Sequence, residues 1–488
     1  MLQKINELRK ASQLLDPNAD LREVWTEAVI EYAESFLNQI DQIPTYQAPS
    51  EGESLILNFP FKEDSIPIGE ILNTLEQEVD QTGINPAGPG HLGYVPGGGI
   101  YPTALGDYLA AVTNRYSGIF FANPGAVRME NALVRWMCQL IGYPVSSLGN
   151  LTSGGSIANL IGVVAARDAK EVSPDRISRS VIYMSPQVHH CVYKAIRIAG
   201  LSECITRHIA MDGRFRMNIE QLEHQIRLDI KASLNPFMII GSAGTTDTGA
   251  IDPLDKMAEV AEKYQCWYHV DAAYGGFFTL VQGMKDKFLG LERADSVVLD
   301  PHKGMFLSYG IGAVLVKDPQ TVYKSHYYRA NYMQDAYEVG SEPNPSDLSP
   351  ELTKHFRGLR MWFGIHLFGL KPFRAALEEK IMLCRYFWQE VQSHGFITGC
   401  EPELSTCIFR YEPPFGESEK FNRQILDKFL KDGRIFFSST TINGIFWLRI
   451  CVMLFRTHLE HIKLALDLLE QFRDELLLEV SFHAPERI

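Results

Sequence analysis

His269-Val-Asp-Ala-Ala-Tyr274 and Leu299-Asp-Pro-His-Lys-Gly304 each close a short apolar run, and their shared placement decides how the chain is read. The runs themselves, Cys266–Val270 and Ser296–Leu299, have the length and the β-branched or aromatic content of buried strands. Val181–Met184, Phe237–Ile240 and Gly312–Val316 share that texture, and amphipathic segments such as Pro253–Tyr264 lie between several of them. This alternation implies crossover connections and a largely parallel sheet covered by helices. Ligands bind such sheets in the crevice beyond the carboxyl ends of the strands. Asp271 and Lys303 both leave their strands at that edge, one strand–helix unit apart.

Each residue has two readings when taken alone. An aspartate at a strand end can cap a turn, or it can keep a pyridinium nitrogen protonated so that the ring becomes an electron sink. Lys303, between Pro301-His302 and Gly304, can be a solvated surface lysine or an amine that forms an imine. Two further segments belong with them. Thr152-Ser-Gly-Gly-Ser-Ile-Ala-Asn159 is a small-residue turn opening an apolar helix. It is either a plain helix start or a phosphate cradle of backbone N–H groups. Val188-His-His-Cys-Val192 places an imidazole at a strand end, where it can stack on a flat ring or relay a proton. No acid or cysteine at ligand spacing accompanies the His pair, so no metal site is expected.

Outside these segments the chain is ordinary. It has 488 residues, 45% apolar and 22% charged, with a net charge of −13. That acidity argues against nucleic acid or an anionic membrane as partner, because phosphate surfaces demand a basic face. The eight cysteines are scattered, with no C-x-x-C pair, which fits a reducing compartment. No uninterrupted apolar stretch has the length of a membrane span, and the N-terminus lacks the apolar core of a secretory signal. A cytoplasmic location is the default expectation.

Trp25, Val29, Tyr32, Phe36 and Ile40 give an apolar stripe in the second of two N-terminal helices within the first ~45 residues. Pro44–Pro67 is irregular, and Gly83–Gly99 reads as a long loop. Tyr323–Pro350 is polar, lacks periodicity and is expected to be a long mobile loop. A continuous helical stretch is expected over Glu351–Ser393. The C-terminal part reads as a smaller α+β domain with strands at Ser405–Tyr411, Arg434–Ser439 and Ile445–Cys451, and helices at Glu417–Lys431 and Leu459–Glu475.

In order and spacing, the chain resembles the group II amino-acid decarboxylases among the fold-type I pyridoxal-phosphate enzymes. The resemblance runs over about residues 20 to 475. It is carried by Ile100–Thr103, Ser153–Ser156, Pro186–His189, Gly244–Thr246, His269–Tyr274, Asp300–Lys303 and Phe356–Trp362. It implies an α/β fold whose large domain has a mostly parallel seven-stranded sheet flanked by helices. Residues 1–90 would form an N-terminal helical segment exchanged within a homodimer, 91–370 the large domain and 371–488 the small α+β domain.

For the site, the resemblance implies pyridoxal 5′-phosphate held by Lys303 and paired through its ring nitrogen with Asp271. Ala273 would lie against the ring and His189 would stack on its other face. Gly155 and Ser156 would bind the phosphate, with His302 close by, and Thr246 would hydrogen-bond within the site. Tyr332 would protonate the substrate Cα, where a phenylalanine in relatives accompanies oxidation to an aldehyde. Tyr94, Val95, Pro96, Gly97 and Phe120 would line the substrate side chain, with Phe121 adding to that wall. The implied reaction is decarboxylation of an L-amino acid, aromatic in preference to acidic. An aldehyde synthase, an aminotransferase, a carbon–carbon lyase and a non-catalytic cofactor binder are the competing readings. One departure stands out: Asp300 occupies a place where aromatic decarboxylases carry Asn, and an acid beside a phosphate should repel it.

Overall fold

The computed structural model describes residues 1–49, 54–59, 61–95, 97–328, 342–414 and 416–483. The chain divides into two compact units: Met1–His91 with Asp427–Phe436, and Leu92–Leu426 with Phe437–Ile488. In the first unit, helices Leu2–Ser12 and Ala19–Gln39 precede a two-residue ribbon in which β1 (Tyr46–Gln47) pairs antiparallel with β2 (Gly83–Ile84). Residues 427–436 join this unit through the Thr45 hydroxyl, which donates to the Arg434 carbonyl at 2.8 Å, and through Phe436 N–H on Gly90 O.

The second unit carries two sheets. The larger holds β3 (Leu148–Thr152), β4 (Ser180–Met184), β5 (Ile205–His208), β6 (Asn235–Ser242), β7 (Trp267–Asp271), β8 (Ser296–Leu299) and β9 (Gly312–Val316). Their spatial order is β3-β9-β8-β7-β6-β4-β5. From β8 through β5 every pair is parallel, while β9 runs antiparallel to both β8 and β3. Every residue of β3, β4, β7, β8 and β9 is buried. Helices on both faces of a parallel sheet demand such continuous apolar runs, because neither face can alternate to solvent. The smaller antiparallel sheet is ordered β10 (Ile397–Thr398), β11 (Thr406–Arg410), β13 (Ile445–Cys451), β12 (Ser438–Ile442). Long helices Leu370–Ser393 and Leu459–His483 accompany it in sequence.

Several expectations need correction. The loop expected over Tyr323–Pro350 begins inside a helix, Pro319–His326, which Asp318 caps by accepting from Gln320 N–H, and it ends with a 3₁₀ turn at Pro345–Leu348. The helix expected over Glu351–Ser393 starts only at Gly358 and breaks at Gly369, whose φ of +66° suits glycine. The strand expected at Arg434–Ser439 begins at Ser438 and runs to Ile442. Two strands of the large sheet, β3 and β5, escaped the reading. β3 is Leu-Gly-Asn-Leu-Thr, whose glycine and asparagine disguise a buried strand. Gly149 is there for space: a Cβ would meet the Val314 carbonyl oxygen at 1.9 Å. Gly149→Ala should therefore cost about 1–3 kcal/mol of stability by forcing strands apart, read as a lowered denaturation midpoint; an unchanged midpoint would refute the close approach.

Candidate active site

Parallel pairing of β7 with β8 sets Asp271 opposite Val298. The ladder continues past the strands, with Ala272 N–H on Val298 O and Asp300 N–H on Ala273 O. The chain then turns through a short helix, Pro301–Gly304, where Pro301 occupies the first turn and has no N–H to leave unpaired. Lys303 and Gly304 N–H both donate to Asp300 O. Gly304 packs its backbone on Phe277, where a Cβ would come within 2.5 Å of the Phe277 Cβ. The turn is thus fixed on both sides, and Lys303 has one direction of exit.

It exits into a cavity of about 430 Å³. Eight residues singled out from the sequence line that cavity together: Gly155, Ser156, His189, Thr246, Asp271, Ala273, His302 and Lys303. Tyr94, Val95, Gly97 and Phe120 do not line it. Phe120 is buried beneath the Arg128 guanidinium, 5.1 Å from its ring centroid. Gly97 instead packs on the lysine turn, where a Cβ would lie 2.3 Å from the His302 carbonyl oxygen. Pro96 and Tyr332 lie outside the described residues.

The Asp271 carboxylate is held at both oxygens, Oδ1 accepting from Ala273 N–H at 3.1 Å and Oδ2 from the Asn159 amide at 3.2 Å. Behind Asn159 runs a buried chain that the sequence reading missed. Because the Asn159 amide donates to Asp271, its oxygen must accept, so His269 Nε2 donates to it at 2.9 Å. His269 Nδ1 then accepts from the Ser296 hydroxyl at 2.7 Å, and Ser296 Oγ accepts from Trp267 Nε1 at 2.9 Å. Asn159, His269 and Ser296 have no exposed surface. The legible signal was His269 and Asp271 two apart on an otherwise apolar strand, hence on one face.

Lys303 Nζ lies 3.1 Å from Asp300 Oδ2. Burial opposes its charge, but Asp300 and Asp271 outweigh that and hold the ammonium above the ordinary lysine range. His189 Nδ1 accepts from Cys191 N–H at 3.3 Å, capping helix His190–Ile198, so in the neutral ring Nε2 carries the hydrogen. Burial lowers the His189 pKa, more than Asp271 raises it. His302 Nδ1 pairs with the Ile311 carbonyl, and burial lowers its pKa as well. Arg449, also unforeseen, binds the Thr246 carbonyl at 2.8 Å and reaches the Gly93 carbonyl, tying two loops to β13. Among the described residues no cluster of His, Cys, Asp and Glu is arranged to hold a metal.

An amine, a doubly anchored carboxylate and a glycine-opened helix start thus share one cavity. Residues 57–412 match the family model described as the pyridoxal-dependent decarboxylase conserved domain. The chain belongs to the pyridoxal-dependent decarboxylase family. An aromatic-L-amino-acid decarboxylase of Bacillus atrophaeus is 31% identical over 80% of this chain and 82% of its own. Tyrosine decarboxylase 4 of Petroselinum crispum is 28% identical over 92% of this chain and 93% of its own. The crystal structure of Oryza sativa TDC with PLP and tryptamine superposes with a TM-score of 0.88 at 22% identity, covering 95% of this chain and 99% of that one. The protein is a pyridoxal-phosphate-dependent amino-acid decarboxylase of fold-type I. The cavity fits that cofactor, with a lysine for its aldehyde, a carboxylate for its ring nitrogen and helix Gly155–Ala169 opening where a phosphate needs N–H donors.

The buried imidazole makes a testable difference. Burial pushes the His269 pKa down from 6.5 to about 4, so between those values the unfolded chain binds a proton that the folded chain refuses. The stability this ring contributes is complete above pH 6.5 and is lost as pH falls towards 4. Unfolding free energies of His269→Gln should lose about one proton of pH dependence across that window. Parallel profiles for variant and parent would show the ring to be protonated in place.

Proposed function

We propose that this decarboxylase acts on an aromatic L-amino acid, releasing CO₂ and the corresponding amine, with Lys303 as the lysine that holds the cofactor. The observation that carries the assignment of residues is the meeting of Lys303, Asp271 and the Gly154–Ser156 turn around one cavity. Bound pyridoxal phosphate supplies a conjugated ring that accepts the electrons of the bond broken at the substrate Cα. This chain's residues direct that chemistry. Asp271, already oriented by Ala273 N–H and Asn159, holds a proton on the ring nitrogen. Ala273 would lie against the ring and His189 would cover its other face.

His189 Nδ1 is engaged by the Cys191 backbone, which supports Nε2–H as a donor towards the substrate carboxylate. Gly155, Ser156 and His302 surround the phosphate, and Thr246 hydrogen-bonds within the site. Tyr332 delivers the proton to Cα after CO₂ leaves. Orientation of the Cα–carboxylate bond and exclusion of water are the contributions of the protein.

The aromatic preference is supported by the names of the relatives, an aromatic-L-amino-acid decarboxylase and a tyrosine decarboxylase. Tyr94 and Phe121 are 55% and 56% exposed, which supports a role for these two side chains in walling the cavity of a second copy, whereas Phe120 and Gly97 are packed within their own chain. A homodimer is supported further by Tyr101, Leu105, Tyr108, Leu109 and Val112, an exposed apolar stripe on helix Tyr101–Thr113. Among the described residues no helix is long and apolar enough to cross a membrane; we place the protein in the cytoplasm.

Purified protein should show the visible absorption of a lysine-bound cofactor, and Lys303→Ala should lose both the colour and CO₂ release. Retained colour in that variant would move the attachment elsewhere. Across the common L-amino acids, CO₂ release should be largest for an aromatic substrate, and a preference for glutamate or aspartate would overturn the substrate assignment. Tyr332→Phe should divert product from amine to aldehyde; an unchanged ratio removes Tyr332 from the proton delivery.

A further inference from the structure

Asp300 is the one charged group in the cavity that the reaction does not use, and its surroundings conflict with the cofactor. Its side chain is 2% exposed. Oδ2 faces Lys303 Nζ at 3.1 Å and His302 Nε2 at 3.7 Å, while Oδ1 is buried with no hydrogen-bond partner. The carboxylate lies against the start of helix Gly155–Ala169: a Cβ on Gly155 would stand 2.9 Å from Oδ2, and one on Gly312 would stand 2.6 Å from Oδ1. The same helix start is where the cofactor's phosphate belongs. A second anion would then stand beside Asp300, with Asp271 a third in the same cavity.

Among the described residues no second cation pairs with Asp300 besides Lys303 and the ring of His302, although Arg360 acts on that ring. Its own turn contributes His302, which burial keeps neutral, and Lys303. Gly155 of helix Gly155–Ala169 and Gly312 of β9 lie against its carboxylate. From helix His190–Ile198 and the residue capping it come Cys191, a thiol pushed up to about 12 by burial, and His189, whose pKa burial lowers. Among the described residues Lys303 is therefore the one full counter-charge paired with Asp300, and attachment of the cofactor would draw that nitrogen away.

We propose that Asp300 takes the proton that Lys303 must release and keeps it, standing as a neutral acid that donates to the phosphate of the bound cofactor. The Lys303 ammonium passes one proton across the 3.1 Å contact to Asp300 Oδ2. The freed amine adds to the cofactor's aldehyde carbon. The carbonyl oxygen departs as water with the two hydrogens left on nitrogen, and the C=N nitrogen gains one proton from solvent. One proton is thus taken up for each cofactor bound, and the former carboxylate gains an O–H that can donate to the phosphate. The arrangement turns a repulsive acid into a phosphate ligand and makes cofactor retention depend on pH.

The inference rests on Lys303 as the attachment lysine, which the colour of Lys303→Ala tests separately. The deciding experiment is calorimetric titration of the full-length, cofactor-stripped chain with pyridoxal phosphate, in buffers of different ionisation enthalpy. The parent should take up about one proton more than Asp300→Asn. Between pH 7 and 9 its affinity should fall about ten-fold per pH unit relative to that variant, the slope of one linked proton. Equal proton counts, or a variant weaker at every pH with an unchanged slope, would overturn the proposal. If Asp300→Asn does not fold, the parent alone decides. Infrared difference spectra on cofactor binding, with ¹³C-aspartate labelling, should show the carbonyl stretch of a newly protonated aspartic acid; its absence would sink the idea equally well.

Discussion

The parallel register between Trp267–Asp271 and Ser296–Leu299 is the constraint on which the site depends. Adjacent parallel strands end at the same edge of the sheet, so the residues that follow them emerge side by side. Asp271 and the Asp300–Gly304 turn meet for that reason alone, and Asp300 N–H on Ala273 O stitches the two exits together. A slip of one residue would send Asp271 to the opposite face of the sheet. The hydrogen bonds of His269 and Asp271 to Ser296 and Asn159 would be lost in such a slip. The apolar content of the strands therefore does chemical work indirectly, by fixing where a carboxylate and an amine can stand.

Around that frame the cavity is electrostatically unbalanced. Two carboxylates face one lysine, and the histidines lining the cavity are held towards neutrality by burial. Burial opposes the charge of Lys303, and the two carboxylates outweigh it and hold the ammonium above the ordinary lysine range. Buried charges tolerate such crowding only if protons redistribute. The two acids are treated differently. Asp271 is braced at both oxygens and remains an acceptor, whereas Asp300 has one oxygen without any partner. The contrast separates an acid whose oxygens are both engaged from one with an oxygen that no described group meets.

The bracing of Asp271 also explains the buried polar residues in the middle of an apolar sheet. Asn159, His269 and Ser296 would each be costly to bury alone. Together every donor meets an acceptor, and the line of hydrogen bonds ends on Trp267, which has nothing further to satisfy. A carboxylate so held has little rotational freedom, which suits the proposed pairing with a ring nitrogen along one direction.

Sequence by itself determined the alternation of apolar strands and amphipathic helices, because periodicity and burial are local properties written into each segment. It also singled out Lys303, Asp271, Ala273, His189, Gly155, Ser156, Thr246 and His302, which the fold gathers around one cavity; their order along the chain was distinctive even though each alone had an ordinary alternative. It could not reveal β3, whose Gly149 answers to the carbonyl of Val314 on another strand, nor the break at Gly369. Only the tertiary structure decided that Gly97 packs against the His302 backbone, that Asn159 and His269 stand behind Asp271, and that Asp300 pairs with Lys303. Each is a contact between segments distant in sequence, and no local pattern encodes which buried polar group will find which partner.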